Sequence, residues 1–116
     1  MSNLYDLAYD LEKGLRESEE FQGLKNAYEK VMNDPSTKQM FDNFRDTQLN
    51  LQQKQMQGEE ISEEEVNKAK QVVELVQQNE DISHLMEEEQ RLNTVIGDIS
   101  KIITKPLEDL YGEEQQ

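Results

Sequence analysis

Residues Ile82, Leu85, Glu89, Leu92, Ile96, Ile99 and Ile103 are spaced alternately three and four apart, and no other feature of the chain restricts its fold as tightly. That spacing keeps one side chain per turn on a single helix face and makes a heptad seam broken only at Glu89. Val95 and Ile102 add an apolar flank. A helix over residues 81–105 would run about 37 Å at 1.5 Å per residue. A single domain of 116 residues has too little core to cover a rod of that length, so the seam predicts cover from a second chain.

The rest of the chain carries the same signature. Leu4, Leu7 with Ala8, Leu11 and Leu15 predict a first helix over about residues 3–17. Ser18 then offers an N-cap oxygen to a second, striped by Phe21, Leu24, Tyr28 and Val31. At Asn33-Asp34-Pro35 the chain stops and restarts, with Asp34 as cap and Pro35 at the first helical position, where a missing N–H has no partner to lose. A third helix to about Gln57 places Met40, Phe41, Phe44 and Leu51 on one side and Leu49 and Met56 on another, with Gly58 as its C-cap. Ser62 and Glu65 have capping-box spacing and Ile61 can staple onto Val66, so a fourth helix starts there. Its stripe is Val66, Ala69, Val73 and Val76, widened by Val72 and Leu75.

Asn79 to Asp81 marks a break or a kink, which leaves open whether residues 62–105 are one helix or two. Pro106 predicts the end of the long helix, followed by a short amphipathic turn with Leu107, Leu110 and Tyr111 and a frayed tail over residues 113–116. Two prolines, five glycines and no apolar/polar alternation exclude a turn-rich β fold. The fold class expected is all-α. A single domain over residues 1–116 forms an elongated multi-helix bundle of five main helices and a short sixth, with long coiled-coil-like helices that self-associate.

Charge narrows the range of partners. Of a net −14, residues 1–58 contribute −3 and residues 59–116 contribute −11, concentrated at Glu59-Glu60, Glu63 to Glu65, Glu87 to Glu89 and Glu113-Glu114. Such runs repel phosphate backbones and anionic headgroups, so no direct nucleic acid and no membrane is expected as partner. The absence of cysteine removes disulfides, thiolate nucleophiles and sulfur-ligated metals, and fits a cytoplasmic protein. No 18-residue apolar run occurs, and the first ten residues carry acids where a secretory signal would carry base.

Candidate chemistry is sparse. His84 has Asp81 three residues before it and Glu87 and Glu88 three and four after, which gathers a nitrogen and three carboxylates on one helix face. A di-iron carboxylate bundle needs Glu-x-x-His from two helices, and this chain has none, so no metal and no cofactor is expected. Ser18 and Ser62 are accounted for as caps, and the five glycines stand apart from one another, which leaves no nucleophilic triad and no phosphate loop. No catalytic residue is assigned. What is in surplus is apolar surface: Leu49, Met56, Leu92, Val95, Ile96, Ile99, Ile102 and Ile103 are the candidate surface for self-association or for a partner protein.

Three segments carry a family resemblance: Leu4-Tyr5-Asp6-Leu7-Ala8-Tyr9-Asp10-Leu11-Glu12, Phe41-Asp42-Asn43-Phe44-Arg45-Asp46 with Leu51-Gln52-Gln53-Lys54-Gln55-Met56, and Lys105-Pro106-Leu107-Glu108-Asp109-Leu110-Tyr111-Gly112. Over nearly its whole length the chain resembles the YheA-like proteins of the YlbF/YmcA group of small helical bacterial proteins. The resemblance implies an all-helical, self-associating protein without known catalytic residues. It also implies an adaptor role beside a further protein, YaaT, in the control of competence, sporulation, biofilm formation and messenger-RNA processing. That group's complex is associated with iron–sulfur clusters, and a chain without cysteine departs from it by having no thiolate to contribute. The reading that follows is a non-catalytic interaction or adaptor module that forms a homodimer or higher oligomer and binds another protein. The alternatives are an acidic, nucleic-acid-mimicking binder of a basic protein and a metal-binding helical enzyme built on His84.

Overall fold

The computed structural model describes residues 3–112 and contains, among them, five α-helices: α1 (Leu4–Glu17), α2 (Glu19–Asn33), α3 (Pro35–Met56), α4 (Glu63–Gln78) and α5 (Glu80–Gly112). The tail over residues 113–116, expected to fray, lies outside the described residues.

Three of the four junctions consist of one residue in extended backbone that ends one helix and begins the next. Ser18 donates its N–H to the Leu15 carbonyl at 3.2 Å, and its Oγ accepts the Phe21 N–H at 3.2 Å. Asp34 does the same between α2 and α3: its N–H reaches the Val31 carbonyl, and its carboxylate accepts from the Ser36 N–H at 3.2 Å and from the hydroxyl of buried Thr37 at 2.8 Å. Asn79 caps α5 by accepting the Ile82 N–H at 2.9 Å while its own N–H bonds Val76. Residues 62–105 are therefore two helices. Each junction leaves orphan groups of both helix ends satisfied by one residue, its N–H serving the helix before and its side chain the helix after, which is why no loop is needed. The fourth junction is a true turn, where Gly58 takes a φ of +73° that only glycine adopts without strain.

The expectation that Pro106 ends the long helix is corrected: α5, 33 residues long, runs through it, and the described residues hold no separate C-terminal helix. Proline removes one hydrogen bond, to the Ile102 carbonyl, but its fixed φ is helical, and the residues beyond it can resume the ladder. Ile99, Ile103, Leu107 and Leu110 keep a spacing of three or four across the proline, so one apolar face survives it. Replacing Pro106 by Ala restores that bond, and a proline inside a helix costs about 3 kcal/mol relative to alanine. Amide hydrogen exchange over residues 103–112 is expected to slow markedly in Pro106→Ala, and unchanged exchange would mean the segment is held by contacts rather than by its own ladder.

The core is small and lies where α2, α3, α4 and α5 meet. Ala27, Val31, Phe41, Phe44, Val72, Val76, Ile82 and Leu85 are buried together, with Leu24, Met32, Met40 and Val73 packed against them. The most extensive pairing is α2 with α5, which run antiparallel. Lys30 meets Asp81 at 3.3 Å, Gly23 lies against Glu88, and Glu20 faces Arg91 at 3.9 Å. A compact chain of this length has a radius of gyration of about 13 Å. The observed value is 19.2 Å, with a longest dimension of 53 Å, because α5 spans the molecule and extends past its core.

Candidate interaction surface

The seam of α5 divides at Leu92. Ile82 and Leu85 are fully buried and Leu92 nearly so, whereas Ile96, Ile102, Ile103, Leu107 and Leu110 are exposed, Ile102 at 72%. Val95 and Ile99 are half-buried. The division has a simple cause: α2 begins at Glu19, opposite the stretch of α5 around Leu92, so beyond that point α5 has no antiparallel neighbour. Leu92, expected on the association surface, is therefore covered by the chain's own fold, and Val95, Ile96, Ile99, Ile102 and Ile103 are brought together along a single rod. Leu49 and Met56 are exposed, but they sit on α3, whose contact with α5 is the slightest of any touching helix pair.

The sequence reading missed α1 as part of this surface. None of its side chains is buried; Leu4, Tyr5, Leu7, Tyr9 and Leu11 are exposed, and among the described residues α1 touches only α2. The available signal was Tyr5 and Tyr9, two aromatics beside the leucine stripe of a helix too short to persist without packing. A second apolar feature is an open groove of about 500 Å³ between the ends of α3 and α4, walled by Leu51, Ile61, Val66, Ala69 and Val73. Ile61 and Val66 thus share one wall, as a staple would place them.

One ion pair closes the α3–α4 turn. Lys54 donates to Glu65 and holds its carboxyl below the ordinary value of 4.5, opposed by partial desolvation and assisted by the hydroxyl and backbone N–H of Ser62. The same hydroxyl accepts the Glu65 N–H at 3.1 Å, completing the cap. A carboxyl depressed in the folded state stabilises it above the unfolded value and loses that contribution as pH falls through the lower, folded one. Lys54→Met is therefore expected to lower the urea midpoint at neutral pH, with the difference from the natural chain shrinking below pH 4.5. A difference that stayed constant down to about pH 3 would show that Lys54 acts through its aliphatic stem instead.

The His84 cluster is dispersed. Asp81 turns to Lys30, and Glu88 is drawn into the α2–α5 contact, where Gly23 leaves room for it: a Cβ at position 23 would lie 2.6 Å from Glu88 Oε2. That oxygen is buried without a hydrogen-bond partner, 3.8 Å from the Arg91 guanidinium, and Glu88 Oε1 stands 3.9 Å from His84 Nε2. Among the described residues no three His, Asp or Glu side chains converge as metal ligands, and no helix is long and apolar enough to cross a membrane.

Comparison with known proteins agrees with this architecture. The family described as "Control of competence regulator ComK, YlbF/YmcA" matches residues 4–108. A UPF0342 protein of Oceanobacillus iheyensis is 69% identical over 116 residues, covering 100% of this chain and 99% of its own. The UPF0342 protein YheA of Bacillus subtilis is 64% identical over 110 residues, 95% of this chain and 94% of its own. Among solved structures, a Bacillus stearothermophilus protein of unknown function (DUF964) superposes with a TM-score of 0.85 at 44% identity, covering 93% of this chain and 95% of the other. The YheA structure from Bacillus subtilis superposes at 0.75 and 51% identity, covering 95% and 100%.

Proposed function

Because the chain belongs to the YlbF/YmcA family, we propose that it is a non-catalytic adaptor that self-associates along the distal half of α5 and engages another protein from that assembled state. The observation that carries the reading is the run of uncovered apolar side chains from Ile96 to Leu110, at 1.5 Å per residue roughly 21 Å of helix with no partner helix among the described residues. Exposed apolar faces of that extent mark interaction surfaces rather than ordinary monomer surface. The description of the family as controlling a competence regulator supports a role exerted on another protein. The half-built groove between α3 and α4 is a second concave apolar surface, available to a partner's helix.

The experiment is purification of the tagged protein from its native cells, with an Ile102→Asp/Ile103→Asp bait in parallel and mass spectrometry of what co-elutes. A partner retained by the natural bait and lost by the variant supports an adaptor acting from its assembled state. A partner retained equally by both separates partner binding from the distal α5 face and overturns that part of the reading.

A further inference from the structure

The apolar face of distal α5 is wider than one neighbouring helix requires. A two-stranded coiled coil buries only the narrow seam of a and d positions, here Ile96, Ile99, Ile103 and Leu110. At about 100° per residue, Val95 and Ile102 extend that seam on one side and Leu107 on the other, to a face of about 140°. Asp98, Lys101, Lys105 and Glu108 lie outside it. A face of that width is what a helix of a bundle shows when it rests between two others.

A seat for such a helix stands open in the same chain. The groove between α3 and α4 has Leu51 on one wall and Val66, Ala69 and Val73 on the other, with Ile61 at its end, and among the described residues none of α5 lines it. Resting on the self-association proposed above, we infer that the distal half of α5 from a second copy lies in this groove, each copy's α5 filling the groove of the other. The lengths agree: Ile61 to Val73 spans about 18 Å and Ile96 to Leu110 about 21 Å at helical rise. Val73 also packs against the buried cluster, so a helix laid in the groove extends the core that each chain already has. The chain's own α5 meets α3 around Met86 and Glu89, and its contact with that helix is slight.

Area makes the exchange mutual. Full burial of an aliphatic side chain removes roughly 60–120 Å² of apolar surface. Ile96, Ile102, Ile103, Leu107 and Leu110 are exposed by 41% to 72%, and together with the five partly covered side chains of the groove they give up on the order of 500 Å² in one contact. That is half of the ~1,000 Å² that a specific interface needs. A two-fold exchange makes the contact twice and reaches it, in the self-complementary geometry of an isologous dimer.

The chain has no cysteine, so introduced thiols report contacts without background. Ala69 stands near the middle of the groove and Ile103 at the middle of the α5 face, so the two meet whichever way the second copy's α5 runs. Ala69→Cys and Ile103→Cys, carried on separate copies, mixed and oxidised, are expected to give a disulfide-linked dimer in high yield. Ala69→Cys with Lys101→Cys, on the far side of α5, is expected to give little. Val66→Asp, on the groove wall, is expected to raise the dimer dissociation constant about a hundredfold with helicity unchanged. Three results would each overturn the groove assignment while self-association stands: Ile103→Cys alone linking to its own copy as readily, a single chain with both thiols closing its disulfide internally, or Val66→Asp keeping its mass where Ile102→Asp/Ile103→Asp dissociates. If light scattering of the natural protein gives the mass of one chain, both fall together.

Discussion

On the proposed self-association along α5, Ile102→Asp/Ile103→Asp is expected to leave single chains of unchanged helicity where the natural protein assembles. Both side chains are exposed in the isolated fold, at 72% and 63%, so removing them takes nothing from the chain's own core. In the assembly each isoleucine returns at least about 1.5 kcal/mol on burial. A two-fold dimer contains four such side chains, so the variant loses about 6 kcal/mol and its dissociation constant rises roughly four powers of ten. Burying an unpaired carboxylate in their place adds to the loss. Light scattering at tens of micromolar, paired with circular dichroism, reads the result directly. An unchanged mass with full helicity would remove the distal half of α5 from the interface.

Leu85→Ala is expected to have the largest effect on the chain itself. Leu85 is fully buried where α5 meets the rest of the core, and its truncation leaves a cavity among side chains that are themselves buried. Such changes cost about 3 kcal/mol, a large part of the 5–15 kcal/mol that holds a typical domain together. The central cluster has eight buried members among the described residues, so little remains to compensate. Urea unfolding should show the midpoint falling with little change in slope, while Leu110→Ala at low protein concentration leaves it unmoved. Equal effects at the two positions would mean that the distal stretch of α5 is packed in the single chain.

The parts of the fold legible in the sequence were those written within a few residues. Ser18, Asp34 with Pro35, and Ser62 with Glu65 each satisfy backbone groups two or three positions away, so their roles can be read without knowing what packs where. The helical stripes were legible for the same reason. Pro106 misled because the local rule for proline competes with a face that continues from Ile99 to Leu110, and only the whole helix decides between them. The seam from Ile82 to Ile103 reads as one surface in the sequence, yet the structure buries its first part and uncovers its second. What divides it is where α2 starts alongside α5, a fact of tertiary alignment that no spacing within α5 contains.

The single-residue junctions at Ser18, Asp34 and Asn79 bear on how such a chain can diverge. A helix turns about 100° per residue, so one residue added or lost at any of these points swings the following helix a quarter-turn or more and carries its apolar face away from the core. The stretch between Met56 and Glu63, where Gly58 turns the chain, has slack that the others lack. Changes of length inside the bundle are thus confined to that one stretch, and the molecule's proportions are held as rigidly as its core.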